Sequence, residues 1–227
     1  MRIARKIHNL THPKLGQIYM LHRVEPLSPD GKSDLLTVSP DFLCRFLDTR
    51  LKQGVEFIGI GEVPQRICDK RKGFVCLTFD DGYLDNLTQA YPLLRERHIP
   101  FCLYLTSDYI LGRATPAWNP EAAMLSPSQV KQLAADPLCT IGTHTRSHPR
   151  LGSLGCEAQE SEIKDGKMEI EGLVGRPVEH FAYPHGDYDG QTVDILRRLG
   201  FRTAVTCSGR NLRRDSHPLE LDRIQLY

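Results

Sequence analysis

The chain reads as an α/β protein: repeated βα units around a parallel sheet, the arrangement found in (β/α) barrels. Two observations carry this. Short apolar, β-rich runs alternate with longer segments of helical spacing, several of which open on helix start signals. The residues able to do chemistry also fall just past the apolar runs, where strands of such a sheet end and loops begin. With 227 residues, 40% of them hydrophobic, and no linker-like or low-complexity tract, the expectation is one domain over 1–227.

The first strand is expected at Gln17–Leu21. Ser39-Pro40-Asp41 then supplies an N-cap with Pro at the first helical position, opening a helix over Phe42–Gln53. Phe57–Ile60 is the next strand, and Phe74–Phe79 a buried one that runs into TFDDG. Tyr83–His98 has helical spacing, with Leu84, Leu87, Tyr91 and Leu94 along one stripe. Pro100–Thr106 is a strand, and the capping box at Ser126-Pro127-Ser128-Gln129 opens a helix through Ala135. Cys139–Thr143 is a strand ending at HTRSH. Glu157–Leu173 carries Ile163, Met168, Ile170 and Leu173 at helical spacing and stops near Gly175-Arg176-Pro177. Glu179–Tyr183 is a strand, Gln191–Leu199 a helix stopped by Gly200, and Phe201–Cys207 and Leu221–Leu226 complete the series.

Lys plus Arg (29) nearly balance Asp plus Glu (28), so no global field favours nucleic acid or an anionic membrane as a partner. Seven cysteines stand singly, without a C-x-x-C pair, as expected of reduced thiols packed as small hydrophobes. The basic N-terminal stretch lacks the apolar run of a signal peptide and no segment has the length of a membrane span, so a cytoplasmic location is expected.

TFDDG poses the central question. Two adjacent carboxylates at the end of a buried strand repel each other and resist desolvation unless a cation or shared proton offsets them. HTRSH offers an answer: His144 and His148, four residues apart, can face one point, and a borderline cation such as zinc accepts two nitrogens and one carboxylate oxygen. One aspartate then serves as ligand, and its neighbour stays unligated as a base for an acidified water. Alone, H-x-x-x-H is most often an ordinary histidine pair and D-D-G a turn; together at strand ends they read as a site. His22 and the Pro184-His185-Gly186 turn fall on the same expected rim.

TFDDG, HTRSH and FAYPHG, in that order, resemble the motifs of the polysaccharide deacetylases of carbohydrate esterase family 4, whose NodB-type domain is a distorted (β/α) barrel. The resemblance runs from MLHRVEP to about Arg223. It implies Asp80 as catalytic base and Asp81, His144 and His148 as ligands of a divalent metal, zinc foremost with cobalt or nickel as substitutes. It implies hydrolysis of an acetyl group, the N-acetyl of an N-acetylhexosamine foremost, by metal-activated water, with an acetylated carbohydrate as substrate. A backbone N–H after Tyr183-Pro184, at His185 or Gly186, would steady the oxyanion.

Two positions depart from the family. The Arg that commonly stands two residues before the Pro of the third motif, where it orients the base, is Ala182 here; Arg223 and Arg146 are the candidates to replace it. The late Leu-x-His motif that brings the acid is absent, and His217, beyond the third motif, sits in a loop-like stretch. YMLHRVEP resembles the early segment of a permuted branch in which the acid comes first in sequence, which nominates His22; the competing reading is a structural histidine at a strand end. Trp118 reads either as a stacking surface for a sugar or as a plug of the barrel mouth. His185 either lines the cleft or finishes a turn, and Tyr183, Pro184 and Gly186 join it as expected substrate contacts. Tyr83 is expected to pack under the TFDDG loop. Besides the sugar deacetylase, the motifs leave open a metal-dependent hydrolase of a small non-sugar amide and a catalytically silent carbohydrate-binding domain.

Overall fold

The computed structural model describes residues 15–26 and 36–227. The reading of the basic N-terminus falls largely outside these residues.

Strand β1 (Gly16–Leu21) pairs in parallel with β5 (Phe74–Asp81), and β5 with β6 (Phe101–Leu105). Then follow β7 (Cys139–Thr143), β8 (His180–Ala182) and β9 (Thr203–Val205), each parallel to the last. The sheet curls back on itself through the C-terminal segment. Leu221 bridges Val205 of β9, and three residues later β10 (Ile224–Gln225) pairs with Tyr19 and Met20 of β1. One short stretch therefore joins both edges, which leaves neither exposed to pair with another chain. β4 (Glu56–Phe57) takes the first residues of the β5 edge whose remainder pairs with β6. Outside this sheet, among the described residues, β2 (Arg23–Val24) pairs with β3 (Thr37–Val38).

Helices fill the crossovers: α1 (Pro40–Lys52), α2 (Val63–Cys68), α3 (Tyr91–Glu96), α4 (Ser107–Ile110), α5 (Pro127–Ala134), α6 (Cys156–Val174) and α7 (Gly190–Arg198). The Ser39 hydroxyl accepts from Phe42 N–H at 3.1 Å, and Ser126 forms the expected capping box with Gln129. Each such cap is worth about 1 kcal/mol. The expected helix over Tyr83–His98 is not continuous: Asn86–Ala90 forms a π-helical turn before α3 begins. The expected strand Phe57–Ile60 is shorter, because Ile60 already opens a 3-10 turn, with Pro64 then in the first turn of α2.

Period-two alternation sorts β5 between two cores. Val75, Leu77 and Phe79 pack outward with Leu43, Leu94 and Leu133 of the helices. Phe74 and Cys76 point into the barrel with Ile18, Cys102, Tyr104, Ala182 and Val205. Continuing that alternation, Thr78 and Asp80 also face inward, which places a carboxylate inside the barrel mouth.

Candidate active site

His22 follows β1, Asp80 and Asp81 end β5, His144 follows β7, and Pro184-His185-Gly186 follows β8, so the expected rim is assembled. A cavity of about 340 Å³ opens there, lined by His22, Asp80, Asp81, Trp118, His144, His148, Arg150, His185 and Cys207 among others.

Arg223, one residue before β10, answers half of the TFDDG problem. Its two terminal nitrogens donate to the two oxygens of Asp80, each at 2.7 Å, and both side chains are buried. The guanidinium is fixed in turn by the Thr206 carbonyl at 2.9 Å and the Thr78 hydroxyl at 3.1 Å, so the Thr of TFDDG serves as an anchor. Burial alone would raise the Asp80 carboxyl, but the charge and hydrogen bonds of Arg223 hold it well below the usual carboxylate range. Arg146 is not involved: it is half-exposed and lies near Asp108 and Asp165.

Asp81 has no such counter-charge. Strict alternation would turn its side chain outward, but its backbone takes φ 72°, and Gly82 N–H closes a tight turn onto the Asp80 carbonyl at 2.9 Å. That turn brings both neighbours to one cavity. Gly82 itself sits at φ 92°, and a Cβ there would lie within 2.9 Å of Leu105 and Ile110 side-chain carbons. Burial and the Asp80 charge push the Asp81 carboxyl well above its ordinary value, against a smaller lowering by the Tyr83 hydroxyl, and neither of its oxygens has a partner within close hydrogen-bond distance.

The two histidines face this orphaned carboxylate. His144 Nε2 lies 3.8 Å and His148 Nε2 3.5 Å from Asp81 Oδ1. His144 Nδ1 is 2.7 Å from the Ala182 carbonyl; a carbonyl only accepts, so Nδ1 carries the proton and Nε2 presents its lone pair. Burial lowers both imidazoles, His144 to about 4, and the neighbouring His144 depresses His148 further. Neutral histidines and an unsatisfied carboxylate, with ligand atoms within 4.8 Å of one another, fit a divalent cation. Strain concentrates at the same loops: of six non-glycine residues with positive φ among the described ones, Asp81, Thr145, His148 and His185 are four.

Trp118 is half-exposed on the cavity wall, its Nε1–H donating to the Tyr83 hydroxyl at 3.0 Å and its ring 4.9 Å from that of His148. Tyr83 is fully buried, as expected of a residue under the TFDDG loop. Of the four expected contacts after β8, only His185 lines the cavity. Tyr183 is a correction: its ring is buried against Tyr188 and its hydroxyl donates to the Leu219 carbonyl at 2.6 Å. Pro184 is buried too. Gly186 supports the turn at φ 66°, where a Cβ would meet Cys207 Cβ at 2.9 Å. Its N–H donates to the Tyr183 carbonyl at 2.9 Å, so of the two expected oxyanion donors His185 N–H remains. His217 lies outside the cavity lining, beside Glu220. Sequence reasoning missed Met20, Leu36, Arg150, Cys207 and Gln225 as lining residues, since nothing in their neighbours marks them.

A curled parallel sheet of this order, with its polar groups gathered at the carboxyl ends of the strands, defines the chain as a (β/α) barrel of the NodB type. It belongs to the polysaccharide deacetylase family, whose pattern matches residues 68–204, more than half of the chain. Among solved structures it is similar to the Streptococcus pyogenes deacetylase PplD in complex with acetate, with a TM-score of 0.80 and 25% identity over 95% of this chain and 93% of that one. It is similar to IcaB from Ammonifex degensii, with a TM-score of 0.80 and 26% identity over 94% of this chain and 92% of that one. Among curated relatives, the putative polysaccharide deacetylase YxkH of Bacillus subtilis (strain 168) is 27% identical over 160 residues, which are 70% of this chain and 54% of the relative. The chitooligosaccharide deacetylase of Azorhizobium caulinodans is 29% identical over 130 residues, 56% of this chain and 55% of the relative. The chain thus spans about half the length of these curated relatives. No helix among the described residues is long and apolar enough to cross a membrane.

Proposed function

We propose that the chain removes an acetyl group, the N-acetyl of an N-acetylhexosamine in a glycan or sugar precursor, with Asp81, His144 and His148 holding a divalent cation, zinc foremost. The observation that carries this reading is the buried Asp81 carboxylate, with no partner in close hydrogen-bond distance, facing two neutral histidines beside an arginine-bound Asp80. A cation bound there supplies Lewis-acid chemistry, acidifying water and polarising an acyl oxygen. Asp80 accepts the proton of the attacking water. Arg223 keeps it anionic and aimed through its two hydrogen bonds. His22, on the same cavity, gives a proton to the departing amine, and His185 N–H is the backbone donor left to steady negative charge developing on the acyl oxygen. Trp118 and His185 form walls against which an apolar sugar face can rest. At about 340 Å³ the cavity is at the small end of ligand sites, suited to one sugar residue rather than several.

The test is acetate release from N-acetylglucosamine oligomers and from nucleotide- or lipid-linked precursors with added zinc or cobalt, for the wild type, Asp80→Asn and His22→Ala. The expected result is release by the wild type and loss in both variants. Metal binding by a wild type that releases no acetate from any acetylated sugar or amide would sink the enzyme reading.

A further inference from the structure

His22 lies one residue beyond the last β1–β5 pair, Leu21 with Phe79, so the parallel ladder does not fix it. Beside the short pairing of Arg23 and Val24 with β3, two side chains just past TFDDG grip the segment. Asn86 Nδ2 donates to the His22 carbonyl at 2.7 Å and to Asp85 Oδ1 at 3.0 Å. Asp85 Oδ1 also accepts Val24 N–H at 2.9 Å, and Asp85 Oδ2 accepts Arg23 Nε at 3.3 Å. All three residues, His22, Arg23 and Val24, are therefore held by one Asp-Asn pair that is itself buried.

The placement of that pair is specific. Asp85 and Asn86 sit at the head of the π-helical turn Asn86–Ala90, four and five residues after Asp81. A π turn is a costly local geometry that recurs at functional sites. Arg23 completes the tie, its guanidinium lying 5.4 Å from the ring centre of Tyr83, whose hydroxyl receives Trp118. The loop that carries Asp80 and the segment that carries His22 are thus one hydrogen-bonded unit, 61 to 64 residues apart in sequence.

We propose that Asp85 and Asn86 are positioning residues that set His22 at a fixed distance across the cavity from Asp80, so that proton donation to the leaving amine depends on them. The inference rests on the reading of His22 as proton donor. In the step concerned, the C–N bond breaks, its electron pair passes to nitrogen, and the imidazolium proton of His22 moves to that nitrogen. A leaving group that departs as a stable anion needs no such proton. The effect of the clamp is therefore readable in leaving-group dependence.

The experiment compares Asn86→Leu, Asp85→Asn and His22→Gln on an N-acetylglucosamine oligomer and on 4-nitrophenyl acetate, and follows the His22 imidazole by NMR in the metal-free proteins. Asn86→Leu is close in size but cannot donate; Asp85→Asn retains an acceptor for Val24 N–H and serves if the first variant folds poorly. Asn86→Leu is expected to lower kcat on the amide roughly tenfold to a hundredfold, with KM and ester cleavage little changed, as His22→Gln does. Asp85→Asn is expected to act in the same direction by less, and the His22 ring signals are expected to broaden or shift in both. Equal loss on amide and ester, or unchanged His22 signals, would overturn the clamp. A His22→Gln variant that keeps the wild-type ratio of amide to ester rates would overturn the proton-donor reading and the clamp together, whereas a changed ratio in His22→Gln alone overturns only the clamp.

Discussion

Arg223 and Asp80 form a two-pronged ion pair, both hydrogen bonds 2.7 Å long, between residues 143 positions apart and both buried. The arginine comes from the segment that joins the two edges of the sheet, so closing the barrel and charging its mouth are one event. The carboxylate pair of TFDDG is therefore compensated unequally: Asp80 by a paired arginine, Asp81 only by the weaker pull of the Tyr83 hydroxyl and the unpaired reach of the Arg223 charge.

Arg223→Leu would leave the Asp80 carboxylate buried without a partner, a change that typically costs about 3–5 kcal/mol. Arg223→Lys keeps a charge but loses the fork, and is the variant suited to kinetics. Its weaker hold on Asp80 should move the acidic limb of the pH–rate profile to higher pH. A profile identical to wild type would show that Arg223 does not set the ionisation of Asp80.

Adjacent isosteric substitutions should have opposite effects on the metal-free protein. Asp80→Asn strands the Arg223 charge and should lower the melting temperature. Asp81→Asn removes a buried, unpartnered carboxylate that repels its neighbour, and should raise it or leave it unchanged. Thermal unfolding in the presence of a chelator distinguishes them, and the same sign for both would contradict the unequal compensation.

Zinc should stabilise the wild type, by about 2.7 kcal/mol when the free ion is a hundredfold above its Kd. Asp81→Asn and His148→Ala should lose most of that shift, as read by calorimetry with and without the ion. A full shift in either variant would place the metal elsewhere.

Gly166 lets α6 lie directly on the HTRSH loop: a Cβ there would come within 2.6–2.8 Å of the Thr145 carbonyl group and Arg146 N. Those contacts are backbone and cannot swing away. Gly166→Ala should therefore displace the loop carrying His144 and His148, at about 1–3 kcal/mol of stability. It should also lower zinc affinity, although residue 166 touches no donor atom; titration with the ion checks this.

His180, at the start of β8, is buried, with Nδ1 2.8 Å from the Thr203 hydroxyl, and burial lowers its pKa to about 4. The unfolded chain takes up this proton near pH 6.5 and the folded one only near 4. The stability linked to this group is thus complete above about pH 6.5 and is lost as the pH falls towards 4, to a total on the order of 3 kcal/mol. His180→Gln should flatten that part of the stability curve in denaturant titrations.

The motifs TFDDG, HTRSH and FAYPHG were legible because each sits where a strand ends, and their residue types have few other reasons to stand together there. The βα order was legible from apolar runs and caps such as Ser39 and Ser126. The π turn at Asn86–Ala90 was not, since the spacing of Leu87, Tyr91 and Leu94 suits an ordinary helix and only the grip on His22 distinguishes it. The part played by Tyr183 was misread for a related reason: a tyrosine beside a motif looks like a contact until its hydroxyl is seen donating to Leu219.

By itself the sequence determined the alternation of strands and helices, the candidate cation donors and the neighbouring carboxylates, because these depend on local periodicity and on which atoms can bind a cation. Only the tertiary structure decided which arginine meets Asp80, that His22 shares its cavity, and that Asp81 turns inward. Those facts depend on how the C-terminal segment crosses from β9 to β1 and on a single left-handed backbone angle, and neither long-range closure nor local strain leaves a repeating trace in the order of the residues.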